Sequence, residues 1–235
     1  RKHGPPGWAW RAAGPNAAYS GTVNGPWTVA THAMGRAQYA AVMSHALARA
    51  VSILGHPMLV LPLAALALAS GHRDGRDVVW LSVGFASFAM LVMGYSRWQV
   101  RRGRWRHVDA SEHGERRALN RFLLMALTAA AALAVWRGPV ELAWGLALSA
   151  ALIAVAILSA PWCKLSLHMA FVVFAAVLLA RLGAGWALAA LGFAVAVAWS
   201  RLRLQRHAPR DLLAGLLAGA LAGWAFLHFT NSMAG

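Results

Sequence analysis

Between Ser200 and Asp211 the chain reads SRLRLQRHAPRD, a run that sets an arginine, a histidine and an aspartate at the boundary of an apolar segment. Charged groups at such a boundary are costly unless they pair or bind something. Pro209 suits the first turn of a helix, where its missing N–H would have no partner in any case, so the pattern predicts a helix starting near Ala208. His207 then sits at the mouth of that helix. Orphan N–H groups and the positive end of the dipole favour a phosphate there. Asp211 follows His207 by four residues, which puts acid and imidazole one turn apart on roughly one face. An imidazole beside a carboxylate is a poised nucleophile or base.

The spacing Ser200-Arg201-x5-His207-x3-Asp211 resembles the third signature motif of the type 2 phosphatidic acid phosphatase and vanadium haloperoxidase superfamily. Lys164-Leu165-Ser166-Leu167-His168 resembles that superfamily's second motif, Pro-Ser-Gly-His, with Ser166 and His168 at the matching positions and Leu165 and Leu167 in place of proline and glycine. In the family the glycine lets backbone approach phosphate, and Leu167 alters that contact. The first motif, Lys-x6-Arg-Pro, has a looser counterpart in HVDASEHGERRALNRF: Asp109 and Arg116 hold the seven-residue offset, and Arg117 stands where proline would be. The lysine is missing from its expected place. Lys164 precedes His168 by four residues, is expected on the same helical face, and is the candidate for that ammonium. Arg97 with Arg104 is a second register that has the charge but lies farther from the helix that should carry it. Arg97, Arg101, Arg102, Arg104 and Arg106 equally fit a solvated anchor at lipid headgroups.

The resemblance covers roughly residues 95–230 and implies a metal-independent phosphatase that needs no cofactor. It casts His207 as the nucleophile that becomes a phosphohistidine, Asp211 as the group that orients its imidazole, and His168 as the general acid that later activates water. It casts Arg201, Arg116 and Lys164, with Ser166, Ser200 and Arg117, as ligands of the phosphate oxygens. His56, before Pro57 in an apolar run, reads instead as a packing or interfacial residue, and His228 lies near the end of the last apolar stretch.

Loops can assemble such a site only if the elements between them bring them to one place. The chain has 235 residues, 60% hydrophobic and 12% charged, far from the composition of a soluble domain. It reads as an all-α polytopic membrane bundle of six to seven spans. Apolar stretches occur at about 50–70, 78–96, 122–136, 140–160, 165–180, 184–199 and 212–229, some short of the roughly 20 residues that a spanning helix needs. Residues 1–46, rich in Gly, Pro, Ala and Trp, read as an irregular N-terminal extension, 47–96 as two transmembrane helices, and 97–235 as the phosphatase-like core. The extension lacks the order of a secretory signal, and Met34 and Met43 precede the first apolar run, consistent with part of it being an upstream extension. Past Asp211, Gly215, Gly219 and Gly223 form a stripe at four-residue spacing, which favours close helix packing and turns Asp211 inward.

A net charge of +15 would suit nucleic acid, but the arginines fall between apolar runs, so headgroups or phosphorylated substrates are the expected partners and nucleic acid is not. Of 22 Lys and Arg, 18 fall before the first stretch and in the 97–121, 161–164 and 200–211 loops, which the positive-inside rule makes cytoplasmic. An even number of spans separates each candidate loop from the next, so all face one side. Cys163, the single cysteine, excludes an intrachain disulfide. The expectation is a multi-pass protein of a bacterial inner membrane acting on phosphatidate, phosphatidylglycerophosphate or a polyprenyl diphosphate such as undecaprenyl diphosphate. Its rivals are a lipid phosphotransferase with the same site, a haem protein with His168 and His207 as axial ligands, and a non-catalytic binder of anionic lipid.

Overall fold

The computed structural model describes residues 27–71, 74–108 and 112–232. The chain divides into two units, Arg1–Ala41 and Val42–Gly235, and the site described below lies in the second. The described elements are all helical: α1 (Trp27–Leu54), α2 (Pro57–Ser70), α3 (Gly75–Arg101), α4 (His113–Arg137), α5 (Val140–Ser159), α6 (Leu167–Leu179), α7 (Ala184–Arg203) and α8 (Pro209–Asn231), with a short 3₁₀ turn at Ala180–Leu182. Within the stretch 1–46 expected to be irregular, α1 begins at Trp27; the Ala-, Met- and Gln-containing run ahead of Arg49 is a good helix former despite its weak apolar period. Residues 1–26 lie outside the described residues.

Five helices, α3, α4, α5, α7 and α8, are long and apolar enough to cross a membrane, and α1 with α2 makes a sixth candidate bent by 54°. Their apolar side chains stay largely outward: Val79, Trp80 and Met90 of α3 are each more than 60% exposed. That is the surface a bilayer covers, so this is a multi-pass membrane protein. The apolar stretch expected at 50–70 is two helices, not one. Pro57 cannot donate to the preceding turn and holds His56 extended, at φ −67° and ψ 134°, so α1 stops and α2 restarts with Pro57 in its first turn.

The stretch at 165–180 proves short for a different reason. Nine of the 13 residues of α6 are buried, so it carries no lipid-facing stripe and needs no spanning length. Ala170, Phe171, Phe174 and Leu178 pack on Leu152 and Ile153 of α5 and on Ala222 and Phe226 of α8. The opposite side, Met169, Val172 and Val173, packs on Ala194 and Val197 of α7 and on Leu212. The glycine stripe makes this possible: a Cβ on Gly215 would stand 2.5 Å from the Ser166 carbonyl, one on Gly219 would strike the Ala170 carbonyl, and one on Gly223 would stand 2.6 Å from Val177 Cβ. At the same end, Tyr95 of α3 stacks on Phe122 of α4 with ring centroids 3.9 Å apart and meets buried Trp105 edge-on.

Candidate active site

The C-terminal end of α7, the N-terminal ends of α6 and α8, and the loops between them converge on His207. Pro209 opens α8 with Ala208 as its cap, and Asp211 Oδ2 accepts the Ala208 N–H at 3.0 Å, closing the first turn. Asp211 is 4% exposed, and its backbone carbonyl accepts the Ser166 N–H at 3.1 Å, which ties the α8 entry to the α6 entry. Cys163 donates its thiol to Asp211 Oδ1 at 3.5 Å. Both carboxylate oxygens are thus anchored.

His207 Nδ1 lies 3.2 Å from the Lys164 carbonyl and 3.7 Å from Asp211 Oδ2. A carbonyl only accepts, so Nδ1 must carry the proton and Nε2 keeps the lone pair. The carbonyl, rather than the carboxylate, makes the orienting hydrogen bond, with Asp211 in support. Burial, then the Arg201 and Lys164 cations, push the His207 pKa down to about 4, so its imidazole is neutral at neutral pH. The Cys163 thiol is raised, first by burial and then by its bond to Asp211, and stays protonated.

Lys164 does not share a helical face with His168. Ser166 caps α6, its Oγ accepting the Met169 N–H at 3.5 Å, so Lys164 precedes the helix and sits in the loop. It still reaches the site: Nζ donates to the Arg206 carbonyl at 3.3 Å, and burial, then neighbouring Arg116, hold its pKa below the usual lysine range. Arg116 is set by the α4 entry, where buried Glu115 accepts the backbone N–H groups of Arg106 at 2.7 Å and Glu112 at 3.2 Å. Asp109, its partner in the first-motif register, lies outside the described residues. Arg201 donates from Nη1 to Ser52 Oγ of α1 at 2.8 Å, while its buried Nε has no hydrogen-bond partner.

Arg116, Arg117, Lys164, His168, Arg201 and His207 line one cavity of about 2160 Å³. Beyond that cationic end the lining turns apolar, with Leu61, Phe88, Leu123, Leu146 and Ile153. Ser166 and Ser200 are fully buried, and their hydroxyls are engaged with backbone: Ser166 as the α6 cap and Ser200 donating to the Val197 carbonyl at 2.8 Å. Three residues that the motif spacing did not single out are also here. Ser52 holds Arg201, Cys163 holds Asp211, and His56 meets His168 edge-to-face with ring centroids 5.3 Å apart. The only trace of them in the sequence is the Gly55-His56-Pro57 interruption of an apolar run.

The structure thus sets His207, with Nδ1 on a carbonyl, beside clustered cations at one end of a membrane helix bundle. The family model of the PAP2 superfamily matches residues 165–233, the stretch that holds α6, α7 and α8. No curated protein and no solved structure matches the chain.

Proposed function

We propose that this protein is an integral membrane phosphatase that removes phosphate from a lipid phosphate or polyprenyl diphosphate through a phosphohistidine on His207. The observation that carries this reading is the 3.2 Å contact of His207 Nδ1 with the Lys164 carbonyl, which as an acceptor calls for the proton on Nδ1 and leaves Nε2 unprotonated, in a cavity lined by Arg116, Lys164 and Arg201. The Nε2 lone pair attacks phosphorus as the bond to the leaving oxygen breaks, and His168 gives that oxygen a proton. Burial and Arg201 push the His168 pKa down to about 2, so that proton is taken up together with the phosphate, whose negative charge offsets the cations. Water then loses a proton to His168 and attacks phosphorus, the P–N bond breaks, and phosphate leaves. Neither step calls for a metal ion.

Arg201, Arg116 and Lys164 neutralise the equatorial oxygens, and the orphan Nε of Arg201 is the donor that a bound phosphate would satisfy. Arg117 stands at the cavity wall as a further cation. Ser166 and Ser200 act through backbone, by holding the α6 and α7 ends. The apolar continuation of the cavity favours a substrate with a long hydrocarbon chain.

The test is to trap the intermediate. Incubation with ³²P-labelled phosphatidate and quenching in alkaline detergent should label the wild type with an acid-labile, base-stable phosphoramidate and leave His207→Ala unlabelled. Phosphate release by a wild-type protein that never carries label would overturn the covalent mechanism, and transfer of the label to an added alcohol in preference to water would make the protein a phosphotransferase.

A further inference from the structure

We infer that His56 is a positioning residue for His168, held by the break between α1 and α2. The inference rests on the phosphatase reading above and adds a participant from outside the matched core.

Among the described residues nothing hydrogen-bonds the His168 ring; the ring packed on it is that of His56, at 5.3 Å and an interplanar angle of 89°. A general acid must be held at the angle its proton transfer needs, and a fixed aromatic neighbour can do this where no hydrogen bond does. His56 is itself fixed. Its Nδ1 accepts the Met58 N–H at 3.2 Å as the side-chain cap of α2, so the ring cannot turn without uncapping that helix. The same bond leaves Nδ1 without a proton, so the neutral ring carries it on Nε2, and an imidazolium would set two N–H groups against each other.

The break is also locked to the phosphate-binding end. A Cβ on Gly55 would stand 2.5 Å from Val197 Cγ2 of α7, so glycine lets the break seat against that helix. One turn earlier, Ser52 takes the Arg201 guanidinium. His56, His168 and Arg201 thereby keep one register. Irregular backbone within a membrane bundle is tolerated where it lines a cavity, and His56 and Pro57 line this one.

Two variants separate the ring contact from the cap. His56→Asn keeps a capping side chain and removes the ring; His56→Phe keeps the ring and removes the cap. Each is assayed beside wild type, in detergent, on phosphatidate, whose alkoxide leaving group needs a general acid, and on p-nitrophenyl phosphate, whose leaving group hardly does. His56→Asn should lose about 10-fold to 100-fold in kcat on phosphatidate, with KM little changed, and only a few-fold on the aryl ester. His56→Phe should recover most of the phosphatidate rate. Equal losses on both substrates, no loss in His56→Asn, or a His56→Phe as slow as His56→Asn would overturn the inference. A wild type inert on both substrates would overturn the phosphatase reading and this inference with it.

Discussion

At the scale of the residue, the account turns on how much Asp211 does for His207. In a triad where the carboxylate alone orients the imidazole, its loss costs several orders of magnitude. Here the Lys164 carbonyl holds Nδ1–H at 3.2 Å and Asp211 stands off at 3.7 Å, so Asp211→Asn should keep the tautomer and lose mainly charge support. A fall in kcat of about 10-fold to 100-fold is expected, and steady-state rates in detergent check it. The second residue-scale prediction concerns pH. In the proposed mechanism His207 attacks unprotonated, so kcat/KM should fall as pH drops through its pKa, near 4 and well below the ordinary 6.5. Lys164→Met removes one cation that disfavours the imidazolium, raises that pKa and moves the acid limb to higher pH. An acid limb that stays put in this variant would show that Lys164 does not act on His207.

At the scale of the element, the packing of α6 on α8 has no slack at the glycine stripe. Gly219→Ala would press a methyl against the Ala170 backbone, which cannot yield as a side chain can, and should cost about 1–3 kcal/mol. Gly192 of α7 has nothing within 4 Å of its Cβ position, so Gly192→Ala should be neutral or stabilising, by up to about 1 kcal/mol. Thermal unfolding of both variants in detergent makes the comparison.

These elements also show what could be read from sequence. The α8 start, Asp211 and the glycine stripe were legible because Pro209 and a four-residue period are local signals. Spacing alone puts Lys164 on a helix, because it does not reveal that the Ser166 side chain caps α6 two residues later. The bend at His56 was hidden inside an apolar run that satisfies a length criterion whether or not the helix is continuous. His56 and Ser52 reach the site from a distant segment, and periodicity records which face is apolar, not which faces meet.

At the scale of the whole molecule, the short buried helix α6 packs against α2, α5, α7 and α8, and the ends of α4, α6 and α7 with the loop ahead of α8 line one cationic pocket. Such a pocket, continued by an apolar cavity, suits a substrate with a phosphate head and a hydrocarbon tail. Phosphate release in detergent from phosphatidate, phosphatidylglycerophosphate and a polyprenyl diphosphate, with EDTA present and His207→Ala in parallel, tests this most directly. The account predicts release by the wild type from at least one of these lipids and none by His207→Ala. Equal release by both proteins, or release abolished by EDTA, would contradict it.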